Sequence, residues 1–283
     1  MRPLILLLLV CGVAFAAPPV RIISTAPSIT ETLFALGLGD RVIGVSNYCH
    51  YPQEATARPK VGSYLRPNVE TIVALKPDLV ILQKIPNGSA EQLERMDIRA
   101  LVVEHGNLAG MFAAIRAIGG ATGVSPKAEA LIREMDAQLG RIRARTRNLS
   151  RRSLLFVVGR APGRLEGLIA VGKGSYLNEL MDAAGGQNAL ADSISEYPRI
   201  SLETVLARNP DVVVDMGDMA DTTSVTESHK QAVVALWSQR PSLKAVAGKR
   251  VFAVASDIFV VPGPRVAEAA LAFARMLHPE AGL

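Results

Sequence analysis

Apolar residues along this chain follow two alternating patterns. Short runs of four or five, apolar on both faces, give way to stretches whose apolar positions lie three or four residues apart. "RIIS" (Arg21–Ser24) reads as a first strand. "SITE" (Ser28–Glu31) has the Ser-x-x-Glu form of a capping box and precedes "TLFALGLG", a helical run closed by Gly37 and Gly39. "RVIGV" (Arg41–Val45) is the next strand, so the chain opens as strand, helix, strand, the start of a parallel α/β unit. Further on, Asn68 caps a short helix from Val69 to Lys76, Pro77 stops it, and "DLVIL" (Asp78–Leu82) is a buried strand. Ser125 caps and Pro126 opens a long helix reaching Asn148, with Ala128, Leu131, Met135, Leu139 and Ile142 as its apolar stripe and Gly140 as a weak point. At about 1.5 Å per residue it is about 33 Å long, enough to bridge two lobes. "SLLFVVG" (Ser153–Gly159) then starts a new strand, "GSYLNELMDAAGG" (Gly174–Gly186) a capped helix, "RVFAV" (Arg250–Val254) a late strand and "VAEAALAFARML" (Val266–Leu277) a closing helix.

One sentence of this text occurs twice. "YLRPNVETIVALKPDLVI" (Tyr64–Ile81) returns as "YPRISLETVLARNPDVVV" (Tyr197–Val214), an offset of 197 − 64 = 133 residues. In the second copy Ser201 takes the cap role, Pro210 the stop and "DVVV" the strand. Repetition at a fixed offset predicts two lobes of similar design. The expected organisation is an export segment at 1–17, an N-terminal α/β lobe at 18–124, a linking helix at 125–148 and a C-terminal α/β lobe at 149–283.

The first residues read as that export segment. Arg2 supplies a positive start, Leu4 to Val10 are apolar, and Ala14-Phe15-Ala16 fits small-x-small cleavage. The apolar run is too short to span a bilayer. Lipid attachment at Cys11 is disfavoured, because Val10 before it is larger than lipoprotein processing prefers. With the segment removed, Cys49 is a lone thiol that cannot form an internal disulfide, so stability rests on the core. The net charge of +5 is mild, and the arginine-rich run Arg141 to Arg152 reads as a solvated helix end without the aromatic interleaving of a nucleic-acid site.

Candidate chemistry sits in the repeat. Tyr64 and Tyr197 head loops before matching helices, where open α/β sheets bind ligands. On opposite walls of one cleft, their rings would suit a large, partly apolar ligand; alternatively each packs beneath its loop. Glu70 and Glu203 stand at the second position of the matching helices, where an acid interacts well with the helix dipole and where two acids on two lobes would also mark a docking face. Arg66 and Arg199 are matched too, and either contact ligand carboxylates or phosphate or pair locally.

The chain resembles the periplasmic substrate-binding proteins of ABC importers for vitamin B12, haem and iron-siderophores. "RIISTAPSITETLFALGLGDRVIGVSNYCHYP", "KVGSYLRPNVETIVALKPDLVIL", "LFVVGRAPG", "GSYLNELMDAAGGQNALADS", "YPRISLETVLARNPDVVV" and "ASDIFVVPGPRV" carry the resemblance, over nearly all of the mature chain. "VGSYLRPNVETIVALKPD" and "YPRISLE" look most like the cobalamin branch. The resemblance implies two Rossmann-like lobes with parallel sheets joined by a rigid helix, and cargo held between them. It implies aromatic walls at Tyr48, Tyr64 and Tyr197, a polar contact at Asp257, and Glu70 and Glu203 pairing with arginines of an inner-membrane permease. It further implies a monomer in the periplasm that carries a corrinoid and has no cofactor, metal or catalytic residue of its own. From the B12 binders it resembles, the chain departs at Tyr64 and Tyr197, where those proteins have tryptophan. Tyrosine can ligate haem iron, so haem or a ferric siderophore is the alternative cargo.

Other classes find less support. His50, His105, His229 and His278 show no zinc spacing, and no G-x-S-x-G elbow, P-loop or paired acids signal an enzyme. A manganese or zinc carrier would need three or four converging ligands, for which His50 and Asp257 are a thin supply.

Overall fold

Strand and helix alternate along the chain as the hydrophobic pattern predicts. The computed structural model describes residues 17–217 and 226–283; the expected export segment up to residue 16, with Cys11, lies outside them. The N-terminal half contains β1 (Ile22–Ser24), α1 (Pro27–Ala35), β2 (Val42–Val45), α2 (Gln53–Thr56), α3 (Val69–Ala74), β3 (Leu79–Gln83), α4 (Ser89–Glu94), β4 (Ala100–Val103) and α5 (Leu108–Ala121). Helix α6 (Ser125–Thr146) follows. The C-terminal half contains β5 (Ser153–Gly159), β6 (Leu168–Ala170), α7 (Tyr176–Ala183), β7 (Gln187–Asn188), β8 (Arg199–Ile200), α8 (Leu202–Arg208), β9 (Val212–Asp215), α9 (Glu227–Ser238), α10 (Lys244–Ala247), β10 (Val251–Ala253) and α11 (Val266–Leu277).

Each half has its own sheet. The first, in the order β2-β1-β3-β4, is parallel throughout. The second runs β10-β9-β5-β6-β8. Its β10-β9-β5 part is parallel, but β6 pairs antiparallel with β5 and β8 antiparallel with β6, so this sheet is mixed where a parallel one was expected. The reason is local: only a loop, with no helix, joins β5 to β6, so the chain returns in the opposite direction, and β8 follows α7 and β7, a short strand that pairs parallel with β5.

The repeat survives in three dimensions. Leu79 pairs with Ile22 and Val212 with Leu154, so equivalent residues (212 − 79 = 133) occupy the same sheet position in each lobe. Asp78 accepts from the backbone N–H of Arg21 and Asp211 from that of Ser153, each tying its loop to the first strand of its sheet. Helices α3 and α8 are both followed by a left-handed residue, Lys76 (φ 47°) and Asn209 (φ 43°).

Helix α6 joins the halves without a break at Gly140 and packs on α5, α7 and α11. Buried side chains from both halves, among them Leu33, Ile81, Met135, Leu139, Phe156 and Phe273, form one continuous cluster. At about 25 cal/mol per Å² of apolar surface removed from water, this shared core makes a wide swing of the lobes costly.

Candidate ligand cleft and docking faces

The matched helices place two carboxylates identically. The Thr71 N–H donates to Asn68 Oδ1 at 3.0 Å and the Thr204 N–H to Ser201 Oγ at 3.3 Å, so both helices start where the sequence puts their caps. Glu70 and Glu203 then stand exposed one residue inside. A hydrogen bond from Ser201, with its own backbone N–H, holds Glu203 below the usual glutamate value.

Tyr48 lies between β2 and α2 and Tyr64 before α3, whereas Tyr197 directly precedes the short strand β8. Tyr48, after β2, is 50% exposed, and its ring meets that of Tyr64 edge-to-face with centroids 6.0 Å apart. Tyr64 is half-buried and packs on the main core. Tyr197, just before β8, is 40% exposed. Shelter from solvent, then the adjacent Glu196 carboxylate, push its hydroxyl up to about 12. Tyr197 and Glu31 in turn act, after burial, on the hydroxyl of Tyr176, which donates to the Phe259 carbonyl at 3.0 Å. Arg66 and Arg199 are exposed, and neither guanidinium has an ion pair among the described residues.

An ion-pair cluster crosses between the lobes, and half of it was hidden in the sequence. Glu31 does not close a capping box. Proline 27 sets the first turn of α1, the N-cap is Ala26, and Ser28 falls inside the helix, buried. Glu31, 4% exposed, instead accepts from Arg265, 234 residues away: Nε lies 3.0 Å from Oε2, and Nη2 donates to Oε1. The same guanidinium donates Nη1 to Asp257 Oδ1 at 3.1 Å and Nη2 to Oδ2 at 2.9 Å. Tyr51 lies over it, its ring centroid 3.9 Å from the guanidinium carbon. Burial raises the Glu31 pKa more than Arg265 lowers it. Burial also disfavours the Arg265 cation, but the two carboxylates outweigh it and hold its pKa above the ordinary arginine value. Asp257, expected as a ligand contact, thus has both oxygens engaged, and a ligand would meet it only through its remaining lone pairs.

The structure therefore brings Tyr48 to Tyr64, and Asp257 to Arg265, Glu31 and Tyr51, with Tyr197 beside Tyr176. Sequence reasoning missed Arg265, Glu31, Tyr51 and Tyr176. No local signal marked them: α1 carries Ser28, Thr30 and Thr32 beside Glu31, so the carboxylate does not stand out in its helix, and its cation lies 234 residues away.

A cavity of ≈ 530 Å³ opens at the carboxyl ends of β9 and β10, lined in part by Met216, Gly217, His229, Lys230 and Val254. Beneath it Asp215, fully buried, accepts from Arg160 Nε at 2.9 Å and from Trp237 Nε1 at 2.6 Å. Among the described residues no group of three His, Cys, Asp or Glu side chains could hold a metal ion, and no helix is long and apolar enough to cross a membrane.

Two α/β lobes on one unbroken helix, with aromatic side chains at the strand ends and a charged cluster spanning the seam, define a binding protein of the two-lobed, helix-linked class. Residues 22–258 match the periplasmic binding protein family, and the chain belongs to it, among the substrate-binding proteins of ABC importers. It is 30% identical to the "uncharacterized ABC transporter substrate-binding lipoprotein YvrC" of Bacillus subtilis over 93% of this chain and 81% of that protein. It is 28% identical to the vitamin B12-binding protein of Vibrio parahaemolyticus, over 89% and 87% respectively. Among solved structures, the periplasmic heme-binding protein RhuT of Roseiflexus superposes with a TM-score of 0.77 at 26% identity, covering 94% of this chain and 100% of that one.

Proposed function

We propose that this protein captures a corrinoid of the cobalamin type between its lobes, outside the cytoplasmic membrane, and hands it to the permease of an ABC importer. The observation that carries the reading is the half-open, edge-to-face pair Tyr48–Tyr64 on the N-terminal lobe, with Tyr197 open on the other. A corrin is a broad ring with amide arms, and flat aromatic faces with polar tips suit it. The vitamin B12-binding relative from Vibrio supports the same cargo. Glu70 and Glu203, one per lobe, would pair with basic residues of the permease and orient the carrier above it. Arg66 and Arg199, without ion pairs among the described residues, are available to carboxylate or phosphate groups of the cargo.

Haem or a ferric siderophore is the second reading, and one observation favours it. The single tryptophan of the chain, Trp237, is fully buried against Asp215, so every aromatic wall residue named here is a tyrosine with a hydroxyl able to ligate ferric iron. The heme-binding Roseiflexus structure is in keeping with it. The test is gel filtration after mixing with cyanocobalamin or haemin, followed by the absorbance spectrum of the protein peak, for the parent chain and for Tyr48→Ala with Tyr64→Ala. The corrinoid reading expects cyanocobalamin to co-elute with the parent and not with the variant. Co-elution of haemin alone, lost in Tyr64→Phe, overturns it in favour of iron ligation.

A further inference from the structure

The charged cluster at the seam turns one sign of charge outward. Asp257 follows the carboxyl end of β10, as does the cavity-lining Val254. Tyr51 comes three residues after Tyr48, whose ring meets that of Tyr64. The cluster thus sits between the aromatic wall of the N-terminal half and the strand ends of the C-terminal half. Within it, side-chain exposure falls from 29% at Asp257 through 13% at Arg265 to 2% at Glu31. Four of the five N–H groups of Arg265 go to the two carboxylates, and Tyr51 covers a face of the guanidinium. One cation serves two anions, and the exposed Glu268 carboxylate adds its charge close to Glu31. The most accessible part of the cluster is therefore the carboxylate of Asp257, an acceptor whose cation is turned inward and spent.

We infer that Arg265 is a positioning residue that fixes Asp257 as an acceptor toward the cleft, and that this acceptor selects cargo arms ending in neutral amide N–H donors over arms ending in carboxylates. The inference rests on the corrinoid reading above and deepens it by naming the chemistry that is selected. The planar fork of Arg265 holds the carboxylate plane of Asp257, which the point charge of a lysine cannot do. An amide N–H reaching Asp257 makes a charge-assisted hydrogen bond with a lone pair that Arg265 leaves open. A carboxylate in the same place brings no donor and meets more negative than positive charge. Glu31 enforces the arrangement from behind, because it takes the share of the guanidinium that would otherwise face an anionic arm.

The experiment compares, by calorimetry at pH 7.5, the affinity for cyanocobalamin with that for its monocarboxylic acids, in each of which one peripheral amide arm is hydrolysed to a carboxylate. The parent should bind at least one of these isomers about tenfold more weakly than cyanocobalamin. In Asp257→Asn that penalty should shrink to within about twofold, since asparagine carries no charge and offers a donor as well as an acceptor. Equal binding of every isomer by the parent, or a penalty that persists in Asp257→Asn, overturns the inference. The role of Arg265 is read from a double-mutant cycle. Arg265→Lys should weaken cyanocobalamin binding in the parent and have no further effect in the Asp257→Asn background, whereas additive losses would mark Arg265 as merely structural and overturn its positioning role. Arg265→Gln with Glu31→Gln, which removes both buried charges together, is the second variant and should show the same dependence on Asp257. If the parent binds no corrinoid, the cargo reading falls and haemin, with its carboxylate arms, tests the selectivity instead. Asp257→Asn should then hold haemin more tightly than the parent does, and equal or weaker binding overturns the inference.

Discussion

Replacing Arg265 by methionine tests the charged seam between the lobes. Methionine keeps the length of the stem and removes the guanidinium that serves Glu31 and Asp257 together. The Glu31 side chain is 2% exposed and that of Asp257 29%, so most of the damage falls on Glu31, left as a buried charge without a partner. Breaking a buried pair from one side costs about 3–5 kcal/mol, a large share of the roughly 5–15 kcal/mol that holds a typical domain folded. The loss depends on pH with a definite sign. Burial already raises Glu31 above 4.5, and losing Arg265 removes the two largest opposing causes, so the variant's Glu31 titrates higher still. A raised folded-state pKa means that the folded protein binds the proton more tightly than the unfolded chain, and stability falls as pH rises through that range. Urea unfolding should show the largest deficit near pH 7.5 and a smaller one on acidification, as Glu31 takes up a proton. Adding Glu31→Gln to Arg265→Met should recover part of the loss at pH 7.5. A deficit below about 1 kcal/mol at pH 7.5, or one that grows on acidification, would refute the view that Arg265 neutralises a buried carboxylate.

Further outcomes are expected elsewhere. Glu70→Ala with Glu203→Ala should leave cargo affinity intact in a titration and abolish uptake in cells; loss of cargo binding would show these residues to be misplaced. Trp237→Phe removes one of the donors to buried Asp215 and should cost about 1–3 kcal/mol in denaturant unfolding. Asn68→Ala and Ser201→Ala should each cost about 1 kcal/mol, additively, because the two caps lie on separate lobes. The core runs through both halves, so unfolding followed by Trp237 fluorescence and by circular dichroism should give one coincident transition.

What could be read from the sequence was whatever depends on near neighbours. The caps Asn68 and Ser201, the stops at Pro77 and Pro210 and the apolar stripe of α6 are each set within one or two turns, and the structure has them. The repeat was legible because identical spacing was kept over a whole helix and strand. The pairing of β6 and β8 was not: strands of three and two residues are too short to show a period, and antiparallel return is decided by the intervening loops. The Glu31–Arg265 contact was not legible either. It joins residues 234 apart, and Ser28-x-x-Glu31 fits a local capping rule that Pro27 overrides. Tyr64 and Tyr197 are equivalent in sequence but not in setting, since one packs on the main core and touches Tyr48 while the other stands open beside Glu196.

Cargo identity is the claim on which the functional account turns. Calorimetric titration of the purified protein with cyanocobalamin, cobinamide, haemin and a ferric siderophore tests it most directly. The account predicts saturable one-to-one binding of the corrinoids, much weaker in the Tyr48→Ala, Tyr64→Ala double variant. Saturable binding of haemin or the siderophore, with no heat from either corrinoid, would contradict it.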